Sequence, residues 1–179
     1  MSVDVAANLR VVLGQARAAA QKAGRANVPR LVAVSKRKPI ELLRQAYDAG
    51  QRVFGENYVQ ELESKAPHLP ADIEWHFIGH LQRNKCNKLL KCMPSPETRL
   101  VVETVDSTRL ADALNKSAST VEHGVVDVFV QVNTSADVES TKNGVLPEDA
   151  VEVAAHIHHD CERLRLRGLM TIGAPGPDA

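Results

Sequence analysis

Short apolar runs alternate with helix-patterned segments six times along this chain, and the alternation constrains the fold more than any other feature of the sequence. The runs are rich in β-branched residues, and the segments between them carry leucine and alanine at helical spacing. No turn sequence typical of a β-hairpin separates consecutive runs. The pattern therefore predicts right-handed βα units and a parallel sheet, either open or closed into a barrel.

The predicted elements follow one another without a domain-scale linker. The spacing of apolar residues predicts helices over 4–24, 40–49, 59–66, 84–92, 107–116 and 147–157. It predicts strands over 30–36, 52–56, 73–79, 100–105, 125–133 and 164–171, and we expect the first of these strands to be buried. We therefore predict one domain over 1–179, with an N-terminal helix in 1–28, six βα units in 29–171 and a loop tail in 172–179.

Charge and composition argue against several classes of protein. Lysine plus arginine and aspartate plus glutamate each number 22, so the net charge of zero gives no general attraction to nucleic acid or to anionic lipid. No apolar run approaches the roughly 18 residues that span a bilayer, and the N-terminus lacks the pattern of a secretion signal. An odd set of three cysteines, Cys86, Cys92 and Cys161, indicates a reducing compartment without disulfides. We therefore expect a cytoplasmic protein.

Functional side chains in parallel α/β folds gather at the carboxyl ends of strands, and Lys36 lies at the first such end. An amine that follows a buried apolar strand is partly desolvated, which disfavours its charged form and frees the lone pair for attack on a carbonyl. Lys38 shares the strand parity of Lys36, so alternation does not choose between the two amines. A solvated basic loop before the next helix explains the same residues equally well.

Asn57 and His80 follow the second and third predicted strands. An asparagine at a strand end can bond the polar edge of a ligand, although asparagines in turns are commoner. His76 fits core packing, whereas His80 is better placed to line a pocket. The histidines of 156–159 fit a solvated helix end, and the chain has no zinc motif, so we predict no metal site. The chain also lacks a nucleotide-binding glycine loop.

Three long sequence blocks stand at these strand ends: AVSKRKP at 33–39, FGENYVQE at 54–61 and WHFIGHLQRNK at 75–85. Shorter blocks follow in order at 105–107, 130–133, 140–144 (Ser140, Lys142, Gly144) and 168–171. Together they resemble the signature blocks of the pyridoxal phosphate homeostasis proteins, a family called YggS in bacteria and PROSC in animals. The resemblance extends over nearly the whole chain, from about Leu31 to Thr171.

The resemblance implies a (β/α)8 barrel of the TIM type, related to the N-terminal domain of alanine racemase, that holds pyridoxal 5′-phosphate (PLP) as an internal aldimine. The family's aldimine lysine follows Ala-Val-Ser, which selects Lys36 over Lys38. Asn57, His80 and Met170 lie in matching blocks and are implied to stand beside the cofactor. The implied role is not catalytic: the protein would bind PLP as a monomer and pass it to PLP-dependent apoenzymes.

The sequence departs from the family in one respect. Members usually continue past the sixth strand to a Ser-Met-Gly-Met-Ser-x-Asp segment and an Arg-x-Gly-x-x-x-Phe-Gly segment, and neither occurs here. A (β/α)8 barrel usually needs roughly 200–250 residues, whereas this chain has 179. We therefore expect a barrel truncated after strand six, with two exposed edges and without the loops that frequently hold phosphate.

Two enzymatic functions remain as alternatives. The first is a PLP-dependent amino-acid racemase or decarboxylase of the same barrel type, although racemisation needs a second base, usually from another domain. The second is an aldolase that uses Lys36 on a sugar-phosphate carbonyl without a cofactor.

Overall fold

The structure, a computed structural model, describes residues 4–93, 95, 97–121, 124–135 and 143–173. The described helices are α1 Val5–Lys22, α2 Ile40–Asp48, α3 Val59–Lys65, α4 Cys86–Lys91, α5 Thr108–Ala118 and α6 Ala150–Asp160. The strands are β1 Ala33–Val34, β2 Val53–Glu56, β3 Glu74–Phe77, β4 Leu100–Val105, β5 Val126–Gln131 and β6 Leu164–Met170. Each predicted element is present; β4 has the predicted bounds, and the others are shifted at one or both ends.

The strands form one parallel sheet in the order β1-β2-β3-β4-β5-β6, which confirms the predicted parallel topology. Each strand lies beside the one before it, as in the wall of a barrel, whereas the order reverses in a doubly wound sheet. Within the described residues β1 and β6 do not pair with each other, so the wall is open between these two strands. The described strand ends, where the candidate site residues lie, therefore follow one another along one rim.

The two faces of the sheet differ in chemistry because successive side chains of a strand point in opposite directions. Phe54, Trp75 and Phe77 are buried in the core between sheet and helices, and the rings of Phe54 and Trp75 lie 6.0 Å apart. The opposite, inner face carries buried polar groups, including His76 and Asp127. The aromatic residues of β2 and β3 are thus part of the core.

β1 corrects one prediction. The sequence predicted a buried strand over 30–36, but the described strand has only two residues, and Val34 is 53% exposed. The reason is that, among the strands that the structure describes, β1 pairs with β2 alone and has no strand on its other side. Burial of an apolar strand depends on both neighbours, and the local sequence does not encode the second one.

The cap of α5 and the free state of the cysteines follow the sequence predictions. Ser107 caps α5, where its hydroxyl accepts a hydrogen bond from the Leu110 amide at 3.3 Å. All three cysteines are free and buried, as the odd count indicated. Burial raises the pKa of each thiol, Cys86, Cys92 and Cys161, to about 11. No described helix is both long and apolar enough to cross a membrane.

Candidate functional site

The carboxyl ends of β1, β2 and β3 bring the predicted site residues of the first half of the chain to one rim. Lys36 follows β1, Asn57 follows β2 and His80 follows β3, and these strands are direct neighbours in the sheet. Neighbouring strands lie about 4.8 Å apart, so the three loops are adjacent. Met170 ends β6, on the other side of the opening in the wall.

Lys36 occupies a tight turn whose backbone is fixed on both sides. The Lys38 amide donates to the Ser35 carbonyl at 3.1 Å, and the Ser35 amide donates to the Gly55 carbonyl at 2.8 Å. Arg37, within the turn, has a φ of 58°, a left-handed conformation that is uncommon for a residue with a Cβ. The turn therefore places Lys36 by backbone geometry, while its side chain is free to reach a ligand.

The exposure of Lys36 differs from the sequence prediction. We expected an amine that is partly desolvated by a buried strand, but Lys36 and Lys38 are both exposed. The cause is again the edge position of β1, which leaves the end of the strand uncovered on one side. In the described residues, burial therefore does not distinguish the two amines.

A buried polar network beneath this turn was missed by sequence reasoning. Glu56 is completely buried at the end of β2, and its Oε1 accepts from the Ser35 hydroxyl and from Lys65 Nζ, both at 2.7 Å. Lys65, on α3, is also buried. The available signal was weak: Lys65 falls on the same helical stripe as Val59 and Leu62, which face the core.

Asn57 is held by a close approach of two loops. A Cβ on Gly79 would lie 2.0 Å from the Asn57 carbonyl oxygen, so only glycine fits beside Asn57 at this point. The Asn57 side-chain Oδ1 is buried and has no hydrogen-bond partner among the described residues. A buried acceptor without a partner is costly, and a ligand that donates a hydrogen bond to it would remove that cost.

His80 lies in an open cleft of about 810 Å³ between the loops that follow β3 and β4. Its Nδ1 is 3.5 Å from Asp106 Oδ2, and Ser107, the cap of α5, also lines the cleft. Two exposed arginines, Arg83 and Arg109, complete a polar lining. In the structure His80 thus lines this cleft.

His76 is buried on the inner face of the sheet, and both of its ring nitrogens have partners. Its Nδ1 pairs with Glu103, and its Nε2 lies 2.9 Å from Glu74 Oε1, which Arg30 also contacts at 2.8 Å. Burial by itself would raise the pKa of Glu74, but its hydrogen bond with His76 and the charge of Arg30 outweigh this and lower that pKa. These charges line the inner face of the sheet, away from the core.

Met170 is half-buried and pairs in register with Gln131 at the end of β5. Beyond it, the hydroxyls of Thr171 and Thr134 are 2.8 Å apart, which joins the loops after β5 and β6. The block at 140–144 also resembles the family, but its residues Ser140 and Lys142 lie outside the described residues. The tail predicted over 172–179 is described only as far as Gly173.

The histidine run lies at the end of α6, as expected. His158 and His159 are exposed, and His156 is paired with two carboxylates, Asp112 at 2.7 Å and Asp160 at 3.0 Å. The hydrogen bond that His156 donates to Asp112 is the main reason why the pKa of His156 is raised. Asp112, His156 and Cys161 bring their ligand atoms within 4.8 Å of one another, but both nitrogens of His156 are already engaged by carboxylates.

Comparison with known sequences places these features in a family. The profile described as "Alanine racemase, N-terminal domain" matches residues 8–178. The chain is 48% identical over 158 residues to the pyridoxal phosphate homeostasis protein of Mus musculus, which covers 84% of the chain and 55% of that protein. It is 38% identical over 183 residues to the protein of the same name from Haemophilus influenzae, covering 97% of the chain and 70% of that protein. The chain spans about half the length of the mammalian relatives it matches.

Solved structures agree with the sequence relatives. A crystal structure of an unknown protein from Bifidobacterium adolescentis superposes with a TM-score of 0.85 at 34% identity, covering 98% of this chain and 72% of that one. PipY of Synechococcus elongatus with PLP bound gives a TM-score of 0.67 at 30% identity, and the match covers 89% of this chain and 70% of the PipY chain. Alanine racemase from Corynebacterium glutamicum shares the fold at 14% identity and a TM-score of 0.66, and the match covers 94% of this chain and 43% of the racemase chain. These likenesses confirm the predicted alanine-racemase-type α/β barrel wall.

Proposed function

Because the chain belongs to the family of pyridoxal phosphate homeostasis proteins, we propose that it binds PLP and holds it covalently through Lys36. The supporting observation is the turn at the end of β1, which fixes the backbone around Lys36 and leaves its amine exposed on the rim. PipY, which is similar over 89% of this chain, has been solved with PLP bound.

The residues on the rim fit this cofactor. The aldehyde of PLP condenses reversibly with a primary amine and releases one water molecule, which is chemistry that an exposed lysine supports. Asn57 would bind a polar edge of the cofactor, because its Oδ1 is buried and lacks a partner in the described part of the chain. His80 lies near Asp106, which would orient the imidazole in the cleft. Met170 would add an apolar contact from β6.

The proposed role is that of a carrier or buffer rather than an enzyme. The curated relatives are named for homeostasis and not for a reaction. We propose that PLP-dependent apoenzymes receive the cofactor from the protein, which acts as a cytoplasmic monomer. The reversibility of the bond to Lys36 suits this role, since the same linkage that stores the reactive aldehyde also releases it.

A direct experiment is to titrate the purified protein with PLP, follow the visible absorbance of the bound cofactor, reduce with borohydride and map the modified lysine by mass spectrometry. We expect one dominant pyridoxyl group, on Lys36. Exposed lysines far from the rim, such as Lys116 on α5, report non-specific labelling. Equal labelling of Lys36 and Lys116 would contradict the proposal, and racemisation of alanine or serine by the loaded protein would favour the racemase alternative.

A further inference from the structure

Lys65 is a buried ammonium with three partners. Its side chain is 9% exposed, and its Nζ donates to the Ser35 carbonyl at 2.9 Å, to Glu56 Oε1 at 2.7 Å and to Glu61 Oε2 at 2.6 Å. An ammonium has three hydrogens, so these bonds use its full donor capacity. A lysine is rarely buried unless paired, and this one is tied to a specific set of acceptors.

One arm of the network fixes the start of the turn. The Ser35 carbonyl accepts from Lys65 Nζ and from the Lys38 amide, and the Ser35 hydroxyl donates to the same Glu56 oxygen that Lys65 contacts. Ser35 is therefore held through its carbonyl and its hydroxyl by the buried pair of Glu56 and Lys65. Lys36 follows Ser35 directly and lies in the turn, two residues beyond the end of β1 at Val34, so the anchored Ser35 sets the point from which Lys36 leaves the backbone.

A second arm fixes the middle of the turn. Glu61 Oε2 accepts from Lys65 Nζ at 2.6 Å and from the Arg37 amide at 2.7 Å. Arg37 needs this support because its left-handed backbone conformation is unfavourable for a residue with a Cβ. The chain on both sides of Lys36 is thus joined, through two separate acceptors, to one ammonium.

We propose that Lys65 is a positioning residue that holds the turn of residues 35–38 and thereby presents Lys36, rather than Lys38, to the aldehyde of PLP. This inference rests on the proposed function, and it adds a structural reason why PLP reacts with Lys36 and not with Lys38. Neither burial nor alternation makes that choice, since both amines are exposed and share one parity. The bonds to Ser35 and Arg37 distinguish them, because they fix the residues on both sides of Lys36 and set the direction in which it leaves the strand.

The test compares Lys65→Met with Lys88→Met. Lys88 lies on α4, where it pairs with Glu63 at 2.7 Å and is 41% exposed. Lys88→Met therefore removes one positive charge, as Lys65→Met does, but removes it from the surface. Each variant is labelled with PLP and borohydride, and the ratio of adducts on Lys36 and Lys38 is measured. Hydrogen exchange of the Arg37 and Lys38 amides is measured without PLP. In Lys65→Met we expect the ratio of Lys36 adduct to Lys38 adduct to fall by about tenfold or more, and the exchange of both amides to accelerate by a similar factor. Effects of this size are typical of the loss of a charge-assisted hydrogen bond.

A second pair of variants answers the case in which Lys65→Met does not fold. Glu61 is 24% exposed and lies at the rim of the network. Glu61→Ala removes the acceptor of the Arg37 amide, whereas Glu61→Gln keeps an acceptor oxygen. We expect faster exchange of the Arg37 amide and a lower adduct ratio in Glu61→Ala, with both restored towards wild type in Glu61→Gln.

The possible outcomes separate this inference from the proposed function. If Lys65→Met folds and its adduct ratio is unchanged, Lys65 does not select Lys36, and this conclusion holds for any result of the amide exchange. If the wild-type protein forms no adduct on either lysine, the proposed function fails, and hydrogen exchange alone decides whether Lys65 holds the turn. Unchanged exchange in both Lys65→Met and Glu61→Ala would overturn that claim as well.

Discussion

The middle and the edges of the sheet follow the same βα pattern but differ in how completely they are buried. All four residues of β2 and all four of β3 are buried. In β6 only Leu164 is buried, and the residues after it alternate between exposed and half-buried, while β1 has no buried residue. Each middle strand has a neighbour on both sides, and each edge strand has one. The number of neighbours, rather than the apolar content of a strand, decides how well it is covered.

The difference matters for function because the candidate cofactor residues are divided between the two regions. Asn57 and His80 follow the buried strands β2 and β3, whereas Lys36 and Met170 belong to the edges. In the described part of the chain, Lys36 and Met170 have a neighbouring strand on one side only. At β1 a buried polar network takes over this role, since Glu56 and Lys65 hold the turn that carries Lys36.

The largest effect that tests this comparison is a pair of leucine truncations. Leu89 of α4 is completely buried in the core cluster that includes Trp75, whereas Leu169 of β6 is 62% exposed. Leu89→Ala should lower the free energy of unfolding by about 2–5 kcal/mol, and Leu169→Ala by less than about 0.5 kcal/mol. Denaturant unfolding followed by circular dichroism measures both. Equal losses would show that the edge is covered in solution.

A smaller effect is expected from the charges on the inner face of β3. Glu74 has a lowered pKa, so the stability that it contributes is present above its ordinary value of 4.5 and is lost as the pH falls through the folded-state pKa. Glu74→Gln should cost about 1–2 kcal/mol at pH 7, a range that allows for the exposure of Arg30, and should flatten the acid limb of the stability profile.

The matched control for this variant is Glu41→Gln, an exposed position on α2. It should leave the acid limb of the profile unchanged. A Glu74→Gln profile that coincides with that of Glu41→Gln would mean that the inner-face charges are as well solvated as the helix surface, which contradicts their burial.

The smallest effect concerns the outer helix layer. His156 pairs with Asp112, whose side chain is 62% exposed, and the pKa of the histidine is raised. The stability from this pair is fully present below the ordinary value of 6.5 and is lost as the pH rises through the folded-state pKa. Asp112→Asn should therefore cost less than about 1 kcal/mol at pH 6 and still less at pH 9. If Asp112→Asn lowers the free energy of unfolding more at pH 9 than at pH 6, the pair does not stabilise the protein through the charged form of His156.

Local patterns predicted most of the fold, because each βα unit carries its own periodicity and turn residues. The parallel sheet and the cap at Ser107 followed from the same information, whereas the barrel-like order of the strands was implied only by the family resemblance. The burial of β1 did not, since it depends on a second neighbouring strand. Lys65 was also missed, because a lysine four residues after a glutamate reads as a surface helix pair. Only the tertiary contact with Glu56 of β2 shows that Lys65 is buried beneath the turn.

The central claim, that Lys36 holds the cofactor, is tested most directly by a matched pair of variants. Lys36→Ala and Lys38→Ala each remove one exposed amine from the same turn, so general effects of charge and folding are equal between them. Each variant is mixed with PLP, and the visible absorbance and the mass after borohydride reduction are recorded. We predict that Lys36→Ala loses the specific adduct and that Lys38→Ala retains it. Retention by Lys36→Ala with loss in Lys38→Ala would contradict the assignment.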